Sequence, residues 1–130
     1  MEYKTNRHAC YLLQYHIVLV TKYRHPILKG ELKEYIYSLI QKQLAQRKIE
    51  LIAMNGEPDH IHMIVDMPPH IAPADLVNVL KTNTSRLARR NYSNEVNKYY
   101  WKDVFWSPSY FVCTVSEHSL SIVKQYIEAQ

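Results

Sequence analysis

The chain has 130 residues, a length suited to one domain with a core of its own. Hydrophobic residues make up 47% and charged residues 22%, as in an ordinary globular protein, and with only two glycines a Gly-rich phosphate loop is excluded, so P-loop and dinucleotide-binding readings fall away. A net charge of +4 and a pI near 9.0 favour an anionic partner.

The first ten residues include Glu2, Lys4 and Arg7 and hold no apolar run, so a signal peptide is not expected. No apolar stretch approaches the roughly 20 residues of a membrane span. Cys10 and Cys113 lack metal-type spacing and are expected to stay as thiols in a reducing cytoplasm.

Residues 10–21 (CYLLQYHIVLVT) are rich in β-branched and aromatic side chains and predict a strand. A basic turn region, KYRHPILKG, follows at 22–30. From Glu31 to Arg47 the apolar residues Leu32, Ile36, Leu39, Ile40 and Leu44 fall on one stripe, which predicts a helix. Residues 50–55 form a second expected strand and 60–67 (HIHMIVDM) a third. Gly56-Glu57-Pro58-Asp59 lies between them with turn composition, so the two predict a hairpin with a loop longer than the tightest type.

Pro68-Pro69 ends that strand, and Pro73 suits the first turn of a helix that Leu76, Val77, Leu80, Leu87 and Ala88 carry to about Arg90. Residues 91–103 are polar with Tyr99, Tyr100 and Trp101 inserted and carry no firm assignment. Residues 110–115 (YFVCTV) predict a fourth main strand. Residues 119–130 predict a last helix with Leu120, Val123 and Ile127 on its apolar side. The order is strand, helix, strand, strand, helix, strand and an additional C-terminal helix: an α+β, ferredoxin-like (RRM-like) split βαβ arrangement with an antiparallel sheet, expected to form a single domain over 1–130. The arrangement by itself carries no function.

His60 and His62 are two apart on a strand, so both imidazoles share a face, with Ile61, Met63 and Val65 on the other. Such a pair is either structural or a zinc-type metal site. Tyr126 and Gln130 are four apart on the final helix and so lie on one face, a turn apart. With Leu120, Val123 and Ile127 buried, Tyr126 sits at the stripe's edge, a position that serves packing or leaves the phenol oxygen exposed. The Gln130 amide oxygen is a reasonable further ligand for a hard cation. Asp59 alternates away from the histidine face. Asp66 shares that face but lies roughly 13 Å beyond His62 along a strand. Neither is expected to be a ligand; Glu57 and His118 remain open.

His-x-His on a strand followed by Tyr-x-x-x-Gln on a C-terminal helix resembles the single-tyrosine HUH transposase family, the small transposases of the insertion sequence 200/605 group. The resemblance runs through Tyr15-His16-Ile17-Val18, Lys22-Tyr23-Arg24, Pro58-Asp59-His60-Ile61-His62, Trp106-Ser107-Pro108-Ser109-Tyr110, Thr114-Val115-Ser116 and Gln125-Tyr126-Ile127-Glu128-Ala129-Gln130, in order over nearly the whole chain. It implies a DNA transposase that cleaves and rejoins single-stranded DNA at insertion-sequence ends, with Tyr126 as nucleophile and a 5′-phosphotyrosine intermediate. It also implies a divalent metal held by His60, His62 and Gln130. Imidazole ligation alone suits zinc or a later transition metal; the resemblance implies Mg2+ or Mn2+.

For DNA, Lys81, Ser85 and Arg89 share one helix face, Arg86 and Arg90 the next, and Lys22, Arg24 and His25 cluster in the first turn region. These charges are either solvated surface or phosphate contacts. Tyr23, Trp106 and Tyr110 can stack on unpaired bases, although core packing suits Trp106 better. The expected partners are single-stranded DNA folded into hairpins and a second copy of the chain. The strands at 10–21 and 110–115 are apolar on both sides, and a sheet of this size leaves edges that need cover. The resemblance further implies active sites shared between two chains. The alternatives are a non-catalytic ferredoxin-like nucleic-acid-binding module, another HUH endonuclease such as a replication initiator or palindrome-associated transposase, and a metal hydrolase in which Tyr126 is incidental.

Overall fold

The computed structural model describes residues 3–115, together with Gln125 and Ala129. A short ribbon of β1 (Lys4–Thr5) and β2 (Cys10–Tyr11) precedes β3 (Gln14–Thr21). The single strand expected over 10–21 is therefore two, because the chain leaves the ribbon at Leu12-Leu13 before joining the main sheet. A 3-10 turn at Lys22–Arg24 leads to α1 (Gly30–Gln46), then β4 (Glu50–Glu57), β5 (His60–Asp66), α2 (Pro73–Asn91), the short α3 (Ser93–Asn97) and β6 (Trp106–Thr114). The main sheet is antiparallel in the order β4-β5-β3-β6. That order, with two helices as crossovers, is the ferredoxin-like split βαβ arrangement.

Alternation divides the sheet. Ile17, Leu19, Ile61, Met63 and Val65 join Leu32, Ile36, Ile40 and Leu44 of α1 and Leu76, Val77, Leu80 and Ala88 of α2 in one buried cluster. The i, i+4 spacing of the α1 residues puts them in a single row facing the sheet. Helix α1 ends at Gln46, and Lys48, with φ of 56°, turns the chain left-handed; Ile49 N–H donates to Leu44 O and Lys48 N–H to Ala45 O, so these carbonyls are satisfied before β4 begins. Pro73 opens α2 where its missing N–H removes no helix bond.

Three boundaries differ from expectation. The β4–β5 hairpin closes through Pro58-Asp59 alone, with Glu57 opposite His60, so the loop is the two-residue type rather than a longer one. Proline cannot take the positive φ of the usual two-residue hairpin turns. Here neighbours hold the turn instead: Leu28 N–H donates to Pro58 O, and Thr21 donates to Asp59 O from both its amide and its hydroxyl. Gly56 allows the close approach, since a Cβ there would collide with the carbonyl of His60. Strand β6 starts at Trp106, earlier than expected, because its register against β3 shifts around Ser107–Ser109 and Pro108 is accommodated at the sheet's edge. The unassigned segment supplies α3, with Val96 and Tyr100 buried. The helix expected over 119–130, with Tyr126 and Gln130, lies outside the described residues apart from Gln125 and Ala129, both helical and exposed.

Candidate metal site and DNA-facing surface

The face of the sheet turned away from α1 and α2 carries the histidines. Register places His60 opposite Val20 and His62 opposite Val18, with Glu57 and Asn55 of β4 on their other side. The imidazoles of His60 and His62 lie nearly parallel, 29° apart in plane, with centroids 6.1 Å apart. His16, one step along β3, brings a third ring to 6.2 Å from His62. Val18 and Val20 are fully buried between these histidines and β6, where Phe111 and Cys113 pack against them.

The electrostatics favour neutral rings. Burial first, and the neighbouring His60 second, lower the pKa of His62; burial and then His62 lower that of His16. Ligation needs the imidazole lone pair, so the lowered pKa of His62 suits a cation ligand. Among the described residues no group of three His, Cys, Asp or Glu side chains converges. Gln130 and His118 lie outside those residues.

Asp59 corrects the sequence reading. It was expected to point away from the histidines by strand alternation, but it sits in the turn, where alternation does not operate. Its Oδ1 lies 2.8 Å from His60 Nδ1, and its Oδ2 accepts from Arg24 Nε at 2.8 Å. Burial alone would raise this carboxyl, but the hydrogen bonds and charges of His60 and Arg24 outweigh it and hold its pKa below the usual carboxylate value. Asp66, at the far end of β5, is engaged by Gln14 and lies 4.0 Å from Lys4, apart from the histidine pair.

The basic residues separate into two grooves. Lys22, Lys81 and Arg89 line one with Ser85, Asp103, Ser107 and Pro108, between α2 and the start of β6. Lys81 donates to Pro108 O and lies over the Tyr110 ring, and burial lowers its pKa. Arg86 instead joins Arg47 and Gln43 in a groove between α1 and α2. Arg90 is exposed near the end of α2. Next to the first groove lies an aromatic cup of Tyr23, His25, Tyr99, Tyr100 and Trp101 with Lys102 at its side. Tyr23 and Arg24 both have positive φ, and this uncommon turn leaves the Tyr23 ring 75% exposed, a side chain available for contact rather than packing. Trp101 is 86% exposed with Lys102 over its ring. Trp106 is a core residue, its indole N–H donating to Thr84 Oγ1. The sequence reading singled out Tyr23 and His25 but not Tyr99, Tyr100 and Trp101, which come from a segment that no local pattern links to the first turn.

A paired-histidine site on one face of a ferredoxin-like sheet, with basic grooves elsewhere on the same domain, defines a class that known proteins make specific. The family model described as "Transposase IS200 like" matches residues 9–130. The chain is 34% identical to the ISDra2 transposase TnpA of Deinococcus radiodurans, over 100% of this chain and 92% of that protein. It is 28% identical to the transposase for insertion sequence element IS200 of Salmonella typhimurium, over 98% of this chain and 82% of that protein. A crystal structure of a Deinococcus radiodurans protein superposes with a TM-score of 0.88 at 33% identity, covering 98% of this chain and 97% of that one. A REP-associated tyrosine transposase bound to a REP hairpin has a TM-score of 0.63 at 13% identity over 92% of this chain and 68% of that one, a likeness of fold. The chain belongs to the IS200-like transposase family, whose members cut DNA and transfer its strands.

Proposed function

We propose that this chain, as one catalytic domain, moves an insertion element as single-stranded DNA, cutting and rejoining its ends through Tyr126. The observation that carries this reading is the His60–His62 pair: two imidazoles side by side on one sheet face, with a carboxylate behind the first. His60, His62 and Gln130 would hold the divalent ion, Mg2+ or Mn2+. When bound, that ion supplies positive charge to polarise the scissile phosphate and offset the charge that develops there.

The phenolate oxygen of Tyr126 attacks phosphorus. The bond from phosphorus to the 3′ oxygen breaks, that oxygen takes up a proton, and a 5′-phosphotyrosine remains. The 3′-hydroxyl of another strand then attacks the same phosphorus, loses its proton, and returns Tyr126 as the leaving group. The bond energy is conserved, so no nucleotide is consumed. Lys22, Lys81 and Arg89 contact DNA phosphates in one groove and Arg86 in the other, with Arg90 nearby; the cup at Tyr23 and Trp101 takes an unpaired base of a hairpin.

The protein acts in the cytoplasm as a homodimer with shared sites. Central strand β3 is buried on both faces, and β4 and β6 stand at the ends of the sheet order, edges that a second copy can cover. Among the described residues no helix is long and apolar enough to cross a membrane.

The test uses single-stranded element ends with Mn2+. Wild type gives a protein–DNA adduct, and Tyr126→Phe gives none while binding DNA within a few-fold. Cleavage by Tyr126→Phe near the wild-type rate would overturn the nucleophile. A His60→Ala, His62→Ala chain mixed with a Tyr126→Phe chain should regain cleavage if sites are shared; confirmed heterodimers without cleavage would place Tyr126 in the site of its own chain.

A further inference from the structure

We propose that Asp59 is a positioning residue of the metal site: its carboxylate fixes the tautomer of His60, leaving the proton on Nδ1 and the lone pair on Nε2, and Arg24 holds that carboxylate in place. The inference deepens the metal reading above and rests on it for the identity of the ligand.

The tautomer follows from hydrogen-bond chemistry. An ionised carboxylate can only accept, so at 2.8 Å from Asp59 Oδ1 the His60 Nδ1 must be the donor. A neutral ring that carries its proton on Nδ1 has its lone pair on Nε2, and a ring nitrogen must be unprotonated to bind a cation. A carboxylate on the far nitrogen also makes the ligating nitrogen more basic and stops the ring from turning.

The carboxylate is itself immobilised. Arg24 Nε donates to Oδ2 at 2.8 Å, from a backbone with φ of 54°. A non-glycine residue held there is costly unless its surroundings over-determine it, and the ion pair with Asp59 is one of those surroundings. Arg24 is also a candidate DNA contact on sequence grounds; its Nε is the atom that faces Asp59.

A merely structural role for the Asp59 side chain is already filled by backbone. Thr21 donates twice to Asp59 O, and Leu28 N–H donates to Pro58 O, so the two-residue turn is anchored without the carboxylate. What the carboxylate adds is its contact with His60 through Oδ1, with Arg24 held on Oδ2. The sequence pattern offers no hint of this, because Asp59 precedes the first strand residue.

Two measurements on the full-length, metal-free chain test the proposal without DNA cleavage. Long-range proton–nitrogen NMR at about pH 8, above the ordinary histidine pKa near 6.5, reports which ring nitrogen of His60 carries the proton. Calorimetry reports Mn2+ affinity. Wild type should show Nδ1–H at His60. Asp59→Ala should move the proton toward Nε2 and weaken Mn2+ binding about 10- to 100-fold, leaving the His62 tautomer unchanged. Asp59→Asn, nearly isosteric and able to donate as well as accept, should fold even if the alanine variant does not, and should show an intermediate mixture and an intermediate affinity. Arg24→Gln should weaken Mn2+ binding by a few-fold. A wild-type His60 protonated on Nε2, or Asp59 variants that keep both the wild-type tautomer and the wild-type affinity, would overturn the proposal. If wild type binds no Mn2+ at all, the metal reading fails instead, and the ring-nitrogen spectrum still decides the role of Asp59.

Discussion

The two faces of the main sheet use the same strands for opposite purposes. Toward α1 and α2, Ile17, Leu19, Ile61, Met63 and Val65 are completely buried among aliphatic side chains. On the reverse, one residue along in each strand, stand His16, His60, His62 and Asp66, mostly buried yet polar. His16 Nδ1 and Asp66 Oδ1 have no hydrogen-bond partner within the described structure. A buried aliphatic residue contributes by leaving water. A buried imidazole with an open nitrogen opposes folding, and it persists where function requires it. Neighbouring residues of β5 therefore answer to different demands.

The strongest way to break this contrast is to mutate adjacent residues. His60→Ala or His62→Ala should reduce metal-dependent cleavage to background while the denaturant midpoint stays close to wild type. Ile61→Ala should destabilise the fold by about 2–5 kcal/mol, read from urea melts, and the fraction still folded should keep its Mn2+ affinity. If the histidine variants unfold as readily as Ile61→Ala, the histidine face is part of the core and its assignment as a site is lost.

A smaller effect sharpens the contrast between the two basic grooves. Lys81→Ala and Arg89→Ala should each lower the log–log salt slope for single-stranded DNA by about 0.7 if they contact phosphate, and Arg86→Ala should do the same if the α1–α2 groove also carries DNA. An unchanged slope for Arg86→Ala would confine the DNA to the Lys22–Lys81–Arg89 side.

The smallest effect concerns pH. The folded pKa values of His16 and His62 are lowered, so between those values and the ordinary 6.5 the unfolded chain binds more protons than the folded one. The pH-dependent cost of keeping these rings neutral is absent above about pH 6.5, and stability falls as pH drops below it. The thermal midpoint of the metal-free chain should therefore decrease on going from about pH 7 to about pH 5, and His16→Asn should flatten part of that decrease. An identical slope in the variant would show that His16 does not contribute to it.

The sequence by itself determined the order of the main elements, the stripe of α1 and the shared face of His60 and His62. Each is a periodicity within one segment: 3.6 residues in a helix, two in a strand. It also carried the family motifs, which the match over residues 9–130 bears out. Tertiary structure decided what periodicity cannot reach. Alternation stops at a turn, so Asp59 could not be placed until the hairpin closed and set its carboxylate against His60 and Arg24. His16 meets His62 because of the register between β3 and β5, which no single strand encodes. Lys22 joins Lys81 and Arg89, and Tyr23 joins Trp101, across separations of tens of residues. Helical periodicity already put Arg86 and Arg89 on different faces, but only the packing of α1 against α2 sets Arg86 beside Arg47 and Gln43.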